Sequence, residues 1–243
     1  MTRHAMVTDL RRCVGCQACT AACNAEWDVP AGYARTHIQH TPVQGTFPDL
    51  AAGILVAQCA QCDEAPCLPA CPSGATFRDA NGAVRVNREV CIGCGYCVAA
   101  CPYDARYIHP VLKKADKCDF CAPRVARGQE PACVATCPTH AKVFGNLEDR
   151  ESPVFKLVYD LGAQRRETQA IHVGPHVYYQ GKPQQVALVM DAFPPRPPHM
   201  PVSGSLWEKV ARPVVVGAVG LTFAGQAVAF FHQLWHGEED YED

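Results

Sequence analysis

From Pro213 to Trp235 the chain reads PVVVGAVGLTFAGQAVAFFHQLW, 23 residues without a charge. That pattern predicts a membrane-crossing helix, since 1.5 Å per residue gives about 34 Å against an apolar core of about 30 Å. The bland alternative is a buried helix of a soluble core. Trp207 and Trp235 suit interfacial anchors, and Pro213 is tolerated near a helix start. Gly217, Gly220, Ala224 and Gly225 offer a small-residue face to another helix. Gln226 and His232 are expected to face protein or headgroups rather than lipid. His232 or His236 is a candidate neighbour of a quinone or haem, against the plainer reading of an interfacial histidine. Elsewhere the apolar runs are short. Gly74–Phe77 and Val84–Val86 flank Asp79-Ala80-Asn81-Gly82, which predicts a hairpin. Ala170–Tyr179 and Gln184–Met190 predict two strands around Gln180-Gly181-Lys182-Pro183. Phe193–Pro201, FPPRPPHMP, predicts a stiff extended linker.

Sixteen cysteines change this picture, because they fall into four groups of four with none left over. The groups are Cys13, Cys16, Cys19, Cys23; Cys59, Cys62, Cys67, Cys71; Cys91, Cys94, Cys97, Cys101; and Cys118, Cys121, Cys133, Cys137. Each ends in C-x3-C, and Cys71, Cys101 and Cys137 are followed by proline. The first and third groups read C-x2-C-x2-C-x3-C, the run that holds [4Fe–4S] clusters. Each cubane takes four soft thiolates, and a tight loop supplies three of them. Gly15, Gly93 and Gly95 lie in these loops, where the backbone turns sharply. A following proline fixes φ and leads the chain away.

Three other chemistries compete and fit less well. Structural zinc needs only two C-x2-C pairs, not a triplet plus a distal cysteine in every group. A disulfide framework suits short secreted chains and poorly explains cysteines two residues apart, repeated four times. Radical chemistry lacks its C-x3-C-x2-C run here. Composition adds limits: a net charge of -2 and a pI near 6.5 give no basic footprint for nucleic acid. Twenty prolines and eighteen glycines suit a loop-rich fold held by its metal sites. Arg106, Lys113, Lys114 and Lys117 lie near the third and fourth groups, where solvated surface charge competes with a role in tuning potentials. No Ser/His/Asp set, phosphate loop or catalytic carboxylate pair stands out.

The repeat predicts the architecture. Groups two and three, joined by the hairpin, form one ferredoxin-like unit, and groups one and four pair around it. In paired clusters the fourth cysteine of a run ligates the other cluster. That rule gives Cys13, Cys16, Cys19 and Cys137; Cys59, Cys62, Cys67 and Cys101; Cys91, Cys94, Cys97 and Cys71; and Cys118, Cys121, Cys133 and Cys23. The expected fold is α+β: two interleaved ferredoxin-like units, each with two [4Fe–4S] clusters, plus a C-terminal transmembrane helix. Residues 1–58 with 102–150 make one unit and 59–101 the other. Residues 151–205 connect them to the membrane helix at 206–236, and 237–243 form an acidic tail.

These spacings, with CVGCQACTAAC at Cys13–Cys23, ACPYDARY at Ala100–Tyr107 and KCDFCAPRVARGQEPACVATCP at Lys117–Pro138, resemble the four-cluster β subunits of molybdopterin oxidoreductases of the dimethyl sulfoxide reductase superfamily. The resemblance covers about residues 7–150. Some relatives carry tryptophan in the third group and one [3Fe–4S] cluster; all four positions are cysteine here, implying four [4Fe–4S] clusters. PYDARY and ATFRDANG resemble tetrathionate, thiosulfate and polysulfide reductase subunits. Ser205-Leu206-Trp207-Glu208-Lys209 before the apolar run is similar to formate dehydrogenase N. The resemblance implies an electron-transfer subunit, not itself catalytic, between a molybdopterin catalytic subunit and an integral-membrane quinone- or haem-binding subunit, anchored in lipid by its C-terminal helix. The alternative is the iron–sulfur subunit of a membrane-bound [NiFe] hydrogenase. Lys209 and Arg212 before the helix and five acids after it favour a cytoplasmic cluster domain by the positive-inside rule. Relatives of the formate dehydrogenase N type carry a similar bias yet cross the membrane folded, so the expectation is periplasmic. Arg11-Arg12 has no apolar stretch behind it and is not a signal.

Overall fold

The structure, a computed structural model, describes residues 3–197 and 212–236. Residues 1–200 form one compact unit and 201–243 another. Trp207, the Ser205–Lys209 stretch, the end of the proline-rich linker and the acidic tail lie outside the described residues.

In chain order the first unit contains β1 (His4–Asp9), α1 (Ala18–Trp27), β2 (Thr36–His40), a hairpin of β3 (Gln44–Thr46) and β4 (Asp49–Ala51), and β5 (Ile54–Gln58). There follow β6 (Thr76–Arg78), β7 (Val84–Val86), α2 (Tyr96–Ala99), β8 (Tyr107–Ile108), β9 (Ala115–Asp116), α3 (Ala122–Val125), α4 (Ala132–Ala135) and β10 (Lys142–Asn146). The unit ends with α5 (Pro153–Phe155), a π-turn (Lys156–Asp160), β11 (Gln164–Arg165), β12 (Val177–Gln180) and α6 (Pro183–Ala192).

The largest sheet has four strands in the order β10-β1-β12-β11. β1 is its axis, antiparallel to β10 with Met6 opposite Phe144, and parallel to β12 with Met6 opposite Val177. Ala5, Met6 and Val7 are wholly buried. Alternation sends Met6 into a cluster with Leu55, Val56, Tyr179 and Val189, and sends Ala5 and Val7 into another with Val154 and Tyr178. The first cluster also takes in Cys19, Cys59, Cys118 and Cys133. A separate cluster gathers Cys62, Cys67, Cys91 and Cys97 around Val84 and Tyr103. The molecule therefore has one cysteine-rich core mainly for groups one and four and one for groups two and three.

Two expectations on local strands divide. The hairpin of groups two and three is present, Phe77 opposite Arg85 with Gly82 at φ 80° in its turn. Only Val177–Gln180 of the expected strand pair is a strand, however, and Gln184–Met190 lies inside α6. Pro183 at the first helical position, Gln185 Oε1 accepting the Lys182 N–H at 3.2 Å, and buried Val186 and Val189 three residues apart make that segment helical.

In the second unit α7 (Arg212–His236) is one continuous helix of 25 residues. The expectation of a membrane-crossing helix is not met: among the described residues no helix is long and apolar enough to cross a membrane. What α7 does show is exposure: Val214, Leu221, Phe223, Val228, Phe231 and Trp235 are all uncovered.

Candidate metal centre

The four groups share one local design. Each opens with a C-x2-C loop whose third residue is left-handed: Gly15 (φ 67°), Gln61 (φ 53°), Gly93 (φ 72°) and Phe120 (φ 57°). At Gly93 a Cβ would stand 2.1 Å from the Lys113 carbonyl oxygen, so the site admits no side chain. Gln61 and Phe120 hold the same turn with side chains, and the cysteine spacing gave no signal of it. Gln61 is buried and receives Val84 N–H at 2.7 Å while donating to Cys118 O at 2.8 Å. Phe120 is buried edge-on against Phe144 at 5.5 Å.

In groups one, three and four a turn of helix then separates the third and fourth cysteines, and in group two a run of turns does so. Cys19 and Cys23 share one face of α1, at i and i+4. Cys97 lies in α2 and Cys133 in α4, with Cys101 and Cys137 just beyond. Four helical residues advance the chain about 6 Å, enough to deliver the last cysteine to a different place from the other three.

That displacement sets which cysteines meet. Cys71, from group two, lines one pocket of about 280 Å³, open solvent included, with Cys91, Cys94 and Cys97. Cys23, from group one, lines another of about 270 Å³ with Cys118, Cys121 and Cys133. Cys62 and Cys67 both face Cys59 and Cys101. Cys13 faces Cys16 and Cys137, and Cys19 faces Cys13. In all four cases the fourth cysteine comes from the partner group. Two further proximities connect the sets, Cys19 to Cys133 and Cys118 to Cys59.

The donor set fits a large sulfur-bridged group better than a lone ion. Among the described residues no three His, Cys, Asp or Glu side chains converge where a single ion could sit. Zinc would draw four thiolates to about 2.3 Å from one point. Burial, reinforced by neighbouring cysteines and opposed by nearby cations, pushes the Cys23 thiol up to about 12 and that of Cys67 to about 11, and burial also raises those of Cys62 and Cys118 well above the ordinary value. Thiols in such places ionise when a bound metal supplies positive charge. Donors already point at several sulfurs. Thr76 N–H approaches Cys71 Sγ at 3.4 Å, Ala141 N–H approaches Cys137 Sγ at 3.3 Å, and Ala115 N–H approaches Cys91 Sγ at 3.4 Å. Trp27 Nε1 donates to Cys121 Sγ at 3.3 Å under the guanidinium of Arg35. These hydrogen bonds outweigh burial at Cys71 and Cys137 and bring both thiols below their ordinary value.

Buried cations complete the surroundings. Arg106 and Lys117 are 4% and 3% exposed, which corrects the surface-charge reading for both. Arg106 Nη2 donates to Cys67 Sγ at 2.9 Å and Nη1 to Thr76 Oγ1 at 3.2 Å. Its Nε is buried with no protein acceptor, a donor left over for a group between these cysteines. Lys117 gives its ammonium to the carbonyls of Val84 and Cys118. Lys113 is exposed and Lys114 half-buried. Sequence reasoning passed over Lys142, which is buried and donates to Gln58 Oε1 at 2.6 Å. Arg35, also buried, is paired with Asp116 through bonds of 3.0 and 2.7 Å.

Sixteen cysteines gathered in four groups within a mixed α/β unit define an iron–sulfur protein of the ferredoxin-like class. Residues 51–147 match the 4Fe-4S dicluster domain family. The chain is 49% identical over 158 residues to Protein NrfC of Escherichia coli K12, covering 64% of this chain and 71% of that one. It is 43% identical over 185 residues to the thiosulfate reductase electron transfer subunit PhsB of Salmonella typhi, covering 74% and 96%. The B subunit of tetrathionate reductase from Salmonella typhimurium is 40% identical over 185 residues, covering 74% and 72%. The chain belongs to this family, the 4Fe-4S ferredoxin-like electron-transfer subunits of molybdopterin oxidoreductase-type complexes.

Proposed function

We propose that the chain conducts electrons through four [4Fe–4S] clusters between a molybdopterin catalytic subunit and an integral-membrane quinone- or haem-binding subunit. The sets would be Cys13, Cys16, Cys19, Cys137; Cys59, Cys62, Cys67, Cys101; Cys71, Cys91, Cys94, Cys97; and Cys23, Cys118, Cys121, Cys133. When bound, such clusters supply one-electron redox chemistry. The observation that carries the reading is the linear adjacency of the sets. Cys19 lies near Cys133, Cys118 near Cys59, and Arg106 faces both Cys67 and Cys97. The order is therefore group one, four, two, three. Cysteine is exposed only at the two ends, Cys16 and Cys94, each beside an uncovered aliphatic, Val14 or Ile92. The inner loops are buried, which keeps electrons from solvent and leaves two ports for partners.

A sulfur-oxyanion reductase is the catalytic partner that the thiosulfate and tetrathionate reductase relatives support; they favour neither a formate dehydrogenase nor a [NiFe] hydrogenase. Attachment to the membrane would run through α7, whose charge-free 213–235 and uncovered Val, Leu and Phe side chains need an apolar environment. Following the sequence expectation, the cluster unit would face the periplasm.

Replacing Cys101 with Ser in the purified complex tests the crossed sets. The paramagnetic signal that changes should be that of the cluster held by Cys59, Cys62 and Cys67. Disturbance confined to the cluster of Cys91, Cys94 and Cys97 would refute the assignment. Metal analysis should find molybdenum or tungsten and about sixteen irons per chain; nickel would overturn the choice of complex.

A further inference from the structure

After each of three distal cysteines the chain repeats one turn. Cys71-Pro72-Ser73-Gly74-Ala75-Thr76, Cys101-Pro102-Tyr103-Asp104-Ala105-Arg106 and Cys137-Pro138-Thr139-His140-Ala141-Lys142 share C-P-x-x-A-x. The third residue after the cysteine is left-handed in all three: Gly74 at 66°, Asp104 at 51° and His140 at 49°. This turn carries the fifth residue back inside, and in two of the three it is a cation. Arg106 and Lys142 are each 4% exposed. The cysteines facing Arg106 are Cys67, Cys59, Cys97 and Cys101, thus the sets of groups two and three. Those facing Lys142 are Cys133, Cys19 and Cys118, the sets of groups one and four, together with Tyr179. Three other buried cations differ: Arg35 is paired with Asp116, Arg166 donates to the Phe193 carbonyl, and Lys117, bonded to the carbonyls of Val84 and Cys118, follows no distal cysteine and adds its charge near Cys67.

We propose that Arg106 and Lys142 are equivalent potential-setting residues, one cation from the shared turn for each pair of clusters, raising the reduction potentials of both clusters in its half. Reduction adds a negative charge to a cluster, and a fixed cation in a poorly screened interior favours that state. Arg106 is placed to act on two clusters at once. It donates to Cys67 and to Thr76, whose own N–H approaches Cys71. Lys142 occupies the corresponding place in the other half, next to Gln58 at the end of β5. The inference rests on the crossed sets above, and its test separates the two. A wild-type complex without four clusters would remove the sets; a wild-type complex with four that ignores both cations would remove only this inference.

The experiment is a redox titration of the purified complex, followed by electron paramagnetic resonance, with iron content measured alongside. Arg106→Gln should lower two of the four midpoints so that the reduced-to-oxidised ratio at fixed poise falls about tenfold, 59 mV for one electron, the other two staying within about threefold. Lys142→Gln should lower the complementary two. Arg106→Lys and Lys142→Arg keep the charge and should hold all four within about threefold. Unchanged midpoints at full iron content in the Gln variants, or a fall in all four from either one, overturns the inference. Should a Gln variant lose iron, the charge-keeping variants decide: a tenfold fall there shows that something other than charge is at work.

Discussion

In each C-x2-C loop the residue before the second cysteine turns left-handed, a conformation costing a non-glycine residue about 1–2 kcal/mol. Gln61 meets that cost with two buried hydrogen bonds, joining Val84 N–H of the hairpin to Cys118 O of group four. Gln61→Ala keeps the strained backbone and leaves both groups unpartnered, a loss of about 1–3 kcal/mol. Gln61→Gly loses the same bonds but sheds the strain, so it should be the more stable of the two by about 1 kcal/mol. Urea unfolding followed by visible cluster absorbance checks the order; an alanine variant at least as stable as the glycine variant contradicts it. At this scale the sixteen cysteines were legible because their spacing is chemical. Gln61 and Phe120 were not, because their left-handed turns are secured by partners far away in sequence. Lys142 was missed for a different reason: the signal existed, in its place five residues after Cys137 matching Arg106 after Cys101, but a lone lysine reads as surface.

Between elements, Asp116 at the end of β9 is a junction. It accepts Arg35 twice, Tyr107 Oη of β8 at 2.6 Å and Arg88 at 3.1 Å, so one carboxylate ties β8, β9 and the start of β2 together. Arg35 and Asp116 are 4% and 7% exposed. Breaking such a pair from one side leaves a buried charge and costs about 3–5 kcal/mol, while replacing both partners by apolar residues is often near neutral. Asp116→Asn should therefore lower the unfolding midpoint markedly, and Arg35→Met with Asp116→Leu should recover most of the loss. Equal stability of Asp116→Asn and the parent protein would show that Asp119, 3.7 Å from Arg35, suffices alone. The hairpin Thr76–Val86 was legible because Asn81-Gly82 is a local turn signal. The four-stranded sheet was not: β1 pairs with residues about 140 and 170 positions away, and its buried Ala5, Met6 and Val7 show no polar alternation. Gln184–Met190 misled because Val186, Leu188 and Met190 alternate like a strand, whereas the cap at Lys182 and Pro183 settles the segment as helix.

For the whole molecule, two kinds of uncovered apolar surface mark where other subunits belong. The end loops expose Val14 and Ile92 beside Cys16 and Cys94, and the group-three end adds Val90, Tyr96, Val111 and Leu112. A wire whose inner sets are buried must exchange electrons at those ends. Among the described side chains of α7, uncovered apolar ones recur from Val214 to Trp235, a surface that marks a contact with protein or lipid. Removing residues 206–243 leaves the compact cysteine unit of residues 1–200 whole, so the iron–sulfur signals should survive. The complex should then leave the membrane pellet, or be stripped from it by carbonate at pH values that spare the parent. Retention equal to the parent's would assign attachment to the membrane partner alone and leave α7 as a helix that packs against that partner. Loss of cluster signals in the truncated chain would mean that the C-terminal segment supports the cysteine unit itself.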